Sequence, residues 1–136
     1  MLLNIHDNLL LEDIQDHFSK SFPSLKIEFY RHPHKWKKGS MQQDQIDATM
    51  KVADIRKKHD PGVLEIKSTH TTGHVESMFK DRFGLNVQIF RKGKNCWIQT
   101  ITTDNYSLQQ QAEFSNTDNV SLSPTIGQEA DEYDSI

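Results

Sequence analysis

Two stretches of the chain carry the same residue types at the same spacing, and that limits the folds open to it. Leu3 and Ile5 match Leu64 and Ile66, and Leu11, Ile14, Phe18 and Phe22 match Thr72, Val75, Phe79 and Phe83, all 61 positions apart. One residue is then dropped. Leu25, Ile27, Phe29, Tyr30 and Arg31 match Leu85, Val87, Ile89, Phe90 and Arg91 at a separation of 60. Pro23 and Gly84 fall at the junctions, where either residue stops a helix. The order and spacing point to an internal duplication covering residues 3–31 and 64–91.

Each unit reads strand, helix, strand. Positions 11, 14, 18 and 22 form one stripe on a helix of 3.6-residue period, as do 75, 78, 79 and 83. Leu25, Ile27 and Phe29 alternate with Lys26, Glu28 and Tyr30, and Leu85, Val87 and Ile89 alternate with Asn86, Gln88 and Phe90, which is the two-residue period of a half-buried strand. Lys92-Gly93-Lys94 makes a tight connection to a further antiparallel strand over Asn95 to Thr102. Residues 32–43 read as a polar, basic loop. Ile46, Met50, Ala53 and Ile55 mark a short middle helix that ends before Asp60-Pro61-Gly62, and Ser107 to Glu113 a last short helix. Two such units with right-handed crossovers predict an α+β fold, a mixed sheet with helices on one face, for which a ferredoxin-like arrangement is the nearest common form.

At 136 residues the chain is one domain in size. Its charge is uneven. Residues 1–103 hold all 16 Lys and Arg and 12 of the 19 Asp and Glu, a balance of +4, while residues 104–136 hold seven acidic residues and no basic one, a balance of -7, which together give the net -3. The expectation is an α+β domain over 1–103 followed by an acidic, weakly ordered tail over 104–136. Cys96 is the single cysteine, so no internal disulfide forms. No apolar run has the ~18 residues of a membrane span, and the opening MLLNIHDN lacks the basic and apolar regions of a secretory leader. A cytoplasmic protein with no membrane association is expected.

The run FGLNVQIFRKGKNCWIQT, followed by TDNYSLQQQ, resembles a group of small bacterial proteins with an FGLxVQ(I/V)FRKxGxxW signature. The likeness spans residues 64 to 111, and Tyr106 stands where the group tends to have Trp. It implies a bacterial origin and brings no catalytic residue, substrate or cofactor with it.

The residues that could carry chemistry have ordinary structural readings. His32, His34, His70 and His74 are weak candidates for a metal site: His70 and His74 have helical i, i+4 spacing, but His70 precedes the helix, and zinc sites usually recruit cysteine as well. Solvated loop histidines account for them, and no metal or other cofactor is expected. Cys96, with the side-chain parity of Ile98, reads as a buried thiol. Glu12 and Asp13 suit the positive end of a helix dipole. There is no nucleophile elbow, P-loop or dinucleotide fingerprint, and the balance is against an enzyme.

What remains is a surface. Tyr30, Phe90 and Trp97 project from the sheet on the side opposite the core stripe, ringed by Lys26, Lys92, Lys94 and the basic loop. Tyr30, Arg31, Trp36, Phe90, Arg91 and Trp97 are the candidate contact residues. Aromatics and arginine anchor protein interfaces, so a non-catalytic protein-interaction or assembly module, binding a partner or itself, is the leading expectation. Single-stranded nucleic acid stacking on the aromatic, basic face is the alternative. A body charge of only +4 and the missing aromatic–glycine strand signature weigh against it.

Overall fold

A computed structural model describes residues 1–33 and 40–117. The elements run β1 (Leu2–Ile5), α1 (Leu11–Ser21), β2 (Leu25–Tyr30), α2 (Val52–Ile55), β3 (Gly62–Glu65), α3 (Thr72–Phe83), β4 (Asn86–Lys92), β5 (Trp97–Gln99) and α4 (Leu108–Thr117). Both stretches read as strand–helix–strand have that order. Asp13 accepts a hydrogen bond from the Leu10 N–H at 3.2 Å, and Thr71 Oγ1 accepts one from the His74 N–H at 3.1 Å, so each long helix starts with a side chain closing an orphan backbone donor. Helix α3 stops at Gly84, whose φ of 68° is the left-handed cap that glycine adopts at little cost.

The strands do not form the single mixed sheet expected of a ferredoxin-like arrangement. They form two sheets, β1–β3 and β2–β4–β5, and every pairing is antiparallel. A crossover helix makes its flanking strands parallel only when both lie in the same sheet. Here α1 carries the chain from one sheet to the other, and so does α3, so β1 pairs with β3 and β2 with β4, across the two stretches. Leu3 faces Leu64 in the first pair; Ile27 faces Ile89 and Phe29 faces Val87 in the second.

The inward sides of both sheets and the helical stripes share one core. Leu3, Ile5, Leu64 and Ile66 meet Leu25, Ile27, Phe29, Val87 and Ile89 with Phe18 and Phe79 between them. Both phenylalanines are fully buried, and the Phe79 ring meets the Phe29 ring edge-on at 6.5 Å.

Short backbone contacts join each stretch to the short helix that follows it. The Leu11 and Glu12 N–H groups donate to the Met50 and Ala48 carbonyls at 3.0 and 2.9 Å, and the Thr72 and Gly73 N–H groups donate to Tyr106 and Asp104 at 3.0 and 2.9 Å. Val52 N–H donates to Leu9 at 2.8 Å, and Leu108 N–H to His70 at 3.0 Å.

Three boundaries differ from expectation. The middle helix is only Val52–Ile55, so Ile46 and Met50 precede it. The last strand is confined to Trp97–Gln99 because Thr100 turns back, its N–H and hydroxyl both donating to the Ile89 carbonyl, and Ile101–Thr103 then form a 3-10 turn. The body also extends past residue 103: Leu108 and Gln111 are fully buried and α4 packs on β4. Residues 118–136, the greater part of the expected acidic tail, lie outside the described residues. No helix among the described residues is long and apolar enough to cross a membrane.

Candidate interaction groove

The alternation of β2 turns Lys26, Glu28 and Tyr30 away from the core. Pairing sets Lys26 opposite Phe90, Phe90 opposite Gln99, and Lys92 opposite Trp97, so Tyr30, Phe90 and Trp97 share one side of the sheet, as their parity implies. That side is not open. Tyr30 and Phe90 are only 3% and 5% exposed, and Trp97 is half-buried. Residues 40–46 run over it. Ile46 N–H donates to the Phe29 carbonyl and Arg31 N–H to that of Asp44, which anchors the segment along β2. At the far side Ser40 N–H donates to Gln99 Oε1 at 3.0 Å and Gln99 Nε2 returns a bond to the Ser40 carbonyl at 3.1 Å. What remains is a groove of about 520 Å³ lined by Lys26, Glu28, Tyr30, Met41, Phe90 and Trp97 with flanking Ser, Gln and Cys side chains.

Lys26 is one of its lining residues. The ammonium is 5.1 Å from the Phe90 ring centre and 5.0 Å from that of Trp97, within range of a cation–π contact to each. It is also 3.4 Å from Glu28 Oε2. The other Glu28 oxygen accepts from Gln15 at 2.9 Å and Gln45 at 3.1 Å. Burial, with the Glu28 and Glu76 charges, pushes the Tyr30 phenol well above its ordinary value, so it stays protonated.

The other candidates are scattered. Arg31 is exposed at the end of β2. Arg91 is not on the groove: its parity is that of Val87 and Ile89, and it faces Leu25 and Ile98. Its guanidinium is buried, donating to Gln111 Oε1 at 3.2 Å beneath the Phe114 ring. Trp36 and His34 lie outside the described residues. Cys96 is exposed, not buried, because the strand begins only at Trp97 and Cys96 belongs to the turn that Gly93 N–H closes onto its carbonyl at 2.8 Å. Sequence reasoning passed over Glu28, whose parity with Lys26 and Tyr30 was visible. It also missed Ser40, Met41 and Gln45, for which no periodic signal exists.

The histidines fall in separate places. His32 is 3.5 Å from Asp44, while the His70 and His74 rings meet edge-on at 5.1 Å and His70 Nδ1 accepts the Lys67 N–H. Among the described residues no three His, Cys, Asp or Glu side chains gather to hold a metal. One charged cluster lies apart from the groove. Arg56, its side chain fully buried, donates to Asp7 Oδ1 from Nε and Nη2 at 3.2 and 3.0 Å and to the Asp60 and Phe83 carbonyls, while His59 Nδ1 is 2.9 Å from Asp7 Oδ2. Burial acts to raise the Asp7 carboxyl, but the hydrogen bonds and charges of His59 and Arg56 outweigh it and hold it below its ordinary value.

No family model, curated protein or solved structure matches the chain. Within the quoted signature, Lys94 stands at the position of its second glycine.

Proposed function

We propose that the protein is a non-catalytic interaction or assembly module of the bacterial cytoplasm, receiving a protein partner along the groove between β2, β5 and residues 40–46. The observation that carries this reading is the Lys26, Phe90 and Trp97 cluster beside Met41, a large apolar side chain left 55% exposed at the rim. An aromatic anchor site with a polar margin is what a protein interface uses. Nucleic acid is the weaker reading. The Glu28 carboxylate inside the groove repels phosphate.

We also propose that the chain is a duplication, each copy being strand, long helix, strand and short helix. Its support is the symmetry of the pairings. Leu2 with Glu65 and Asn4 with Val63 exchange under the 61-residue offset, and Ile27 with Ile89 and Phe29 with Val87 exchange under the offset of 60. The isolated bridges Leu10–Lys51 and Thr71–Ser107 occupy equivalent places before the short helices. Tyr30–Gln45 corresponds likewise to Phe90–Gln99. An experimental structure in which residues 3–31 fail to superpose on 64–91 overturns the duplication.

The interaction reading is tested by placing a photoreactive side chain at Met41 in the full chain and irradiating it in native lysate. The expected result is a discrete protein adduct, identified by mass spectrometry, that Trp97→Ala reduces. An adduct with nucleic acid alone, or none, counts against it.

A further inference from the structure

We propose that the groove recognises a cationic side chain, arginine above all, carried by the partner segment, and that the chain's own Lys26 occupies this position until the partner displaces it. The inference rests on the groove being a protein site and names the chemistry it selects.

The argument begins with what surrounds the Lys26 ammonium. Two ring faces, Phe90 and Trp97, present their negative quadrupoles to the same point at 5.1 and 5.0 Å. The Glu28 carboxylate supplies a full negative charge beside them. With Lys26 set aside, the two rings and the carboxylate each favour a cation and disfavour an anion.

Lys26 fills this position imperfectly. Its ammonium is 3.4 Å from Glu28 Oε2, longer than the 2.7–2.9 Å typical of a charge-assisted hydrogen bond. The ammonium meets both rings and stops short of a charge-assisted hydrogen bond to the carboxylate. A guanidinium can do both: it is planar, stacks flat on an aromatic face, and still directs N–H groups in its own plane toward a carboxylate. Glu28 is held for such a role, since Gln15 and Gln45 fix its other oxygen from either side. Lys26 hangs on a flexible stem and its side chain is 30% exposed, so it can swing out to water, where an ammonium is well solvated. The groove, at about 520 Å³, has room for more than one side chain.

The test uses the full-length protein and isothermal titration. The probes are a blocked pentapeptide with arginine between glycines, its counterpart with neutral citrulline, and a single-stranded oligonucleotide. Lys26→Met removes the resident charge and keeps the stem; thermal unfolding checks that it folds. The arginine peptide should bind Lys26→Met about tenfold more tightly than it binds the unaltered protein, the gain expected when a competing cation–π contact is removed. The citrulline peptide should show no such gain, and Glu28→Gln in the Lys26→Met background should abolish it. Equal binding of the arginine and citrulline peptides, or tighter binding of the oligonucleotide than of either, overturns the inference. If no peptide binds Lys26→Met while the Met41 adduct still forms, the cation inference falls and the interaction reading stands. If the adduct is absent too, both fall.

Discussion

Leu3 and Leu64 stand directly opposite each other in the β1–β3 pair, with both side chains buried against the shared core. They are also the residues that the 61-residue offset equates, so the pairing is centred on them. Two equivalent leucines in contact should respond alike and not independently. Leu3→Ala and Leu64→Ala should each lower stability by about 2–5 kcal/mol, from lost transfer energy plus the cavity left behind. The double variant should differ from the sum, because the two removals open one shared cavity. Urea denaturation of the three variants measures this. Strict additivity would show that the two side chains do not share a cavity.

Phe18 and Phe79 extend the same reasoning to the helices. Both are fully exposed to the core and hidden from water, and they occupy matching places in α1 and α3. Either one changed to Ala should cost about 3–5 kcal/mol. A denaturation midpoint that neither change moves would mean these helices do not face the core.

Arg56 ties three parts of the chain together: Asp7 after β1, the Phe83 carbonyl at the end of α3, and the Asp60 carbonyl before β3. The Asp7 carboxyl lies below its ordinary value of 3.8 in the folded protein. A depressed acid stabilises the fold above its unfolded pKa and loses that contribution as pH falls through the folded one. The expected outcome is stability that declines as pH drops below about 4, as carboxylates of unfolded chains titrate there. In Arg56→Leu the pH-independent stability should be lower and this part of the acid dependence shallower. Melting temperatures of the two proteins between pH 3 and pH 7 provide the check. An unchanged acid profile would show that the lowering of Asp7 comes from His59, its other partner, and not from Arg56.

The strands and long helices were legible in the sequence because burial imposes a period on them. Leu25, Ile27 and Phe29 could face the core only if Lys26, Glu28 and Tyr30 faced away. The pairing of the strands was not legible, since periodicity says which face of a strand is buried and nothing about which strand lies beside it. The same limit applied at the groove. Parity put Tyr30, Phe90 and Trp97 on one face, and applied to Arg91 it would have excluded that residue, which has the parity of Val87 and Ile89. The covering segment carried no such signal: Ser40 and Gln45 are held by backbone and amide hydrogen bonds that any polar sequence could offer. Cys96 was misplaced by assuming a strand two residues too early, which inverted nothing in parity but put a turn residue in the sheet.

Helix α4 yields the last prediction, because the acidic composition of residues 104–136 concealed part of the core. Leu108 is fully buried, and Gln111 joins a polar cluster in which its side-chain N–H groups donate to Thr103 and Thr72 while its Oε1 accepts from Arg91. Ending the chain at Thr103 therefore strips an apolar side chain from the core and several partners from buried polar groups. Buried polar atoms that lose partners carry a desolvation penalty on top of the lost contact. The shortened chain should melt well below the full one. Leu108→Ala should account for about 2–5 kcal/mol of that loss by itself, and Gln111→Ala, which removes the amide partner of Arg91 and Thr103, about 1–3 kcal/mol. Chemical denaturation of the three variants separates the two contributions. A chain ending at Thr103 that unfolds at the same midpoint as the full protein would show that α4 merely rests on β4 without stabilising it.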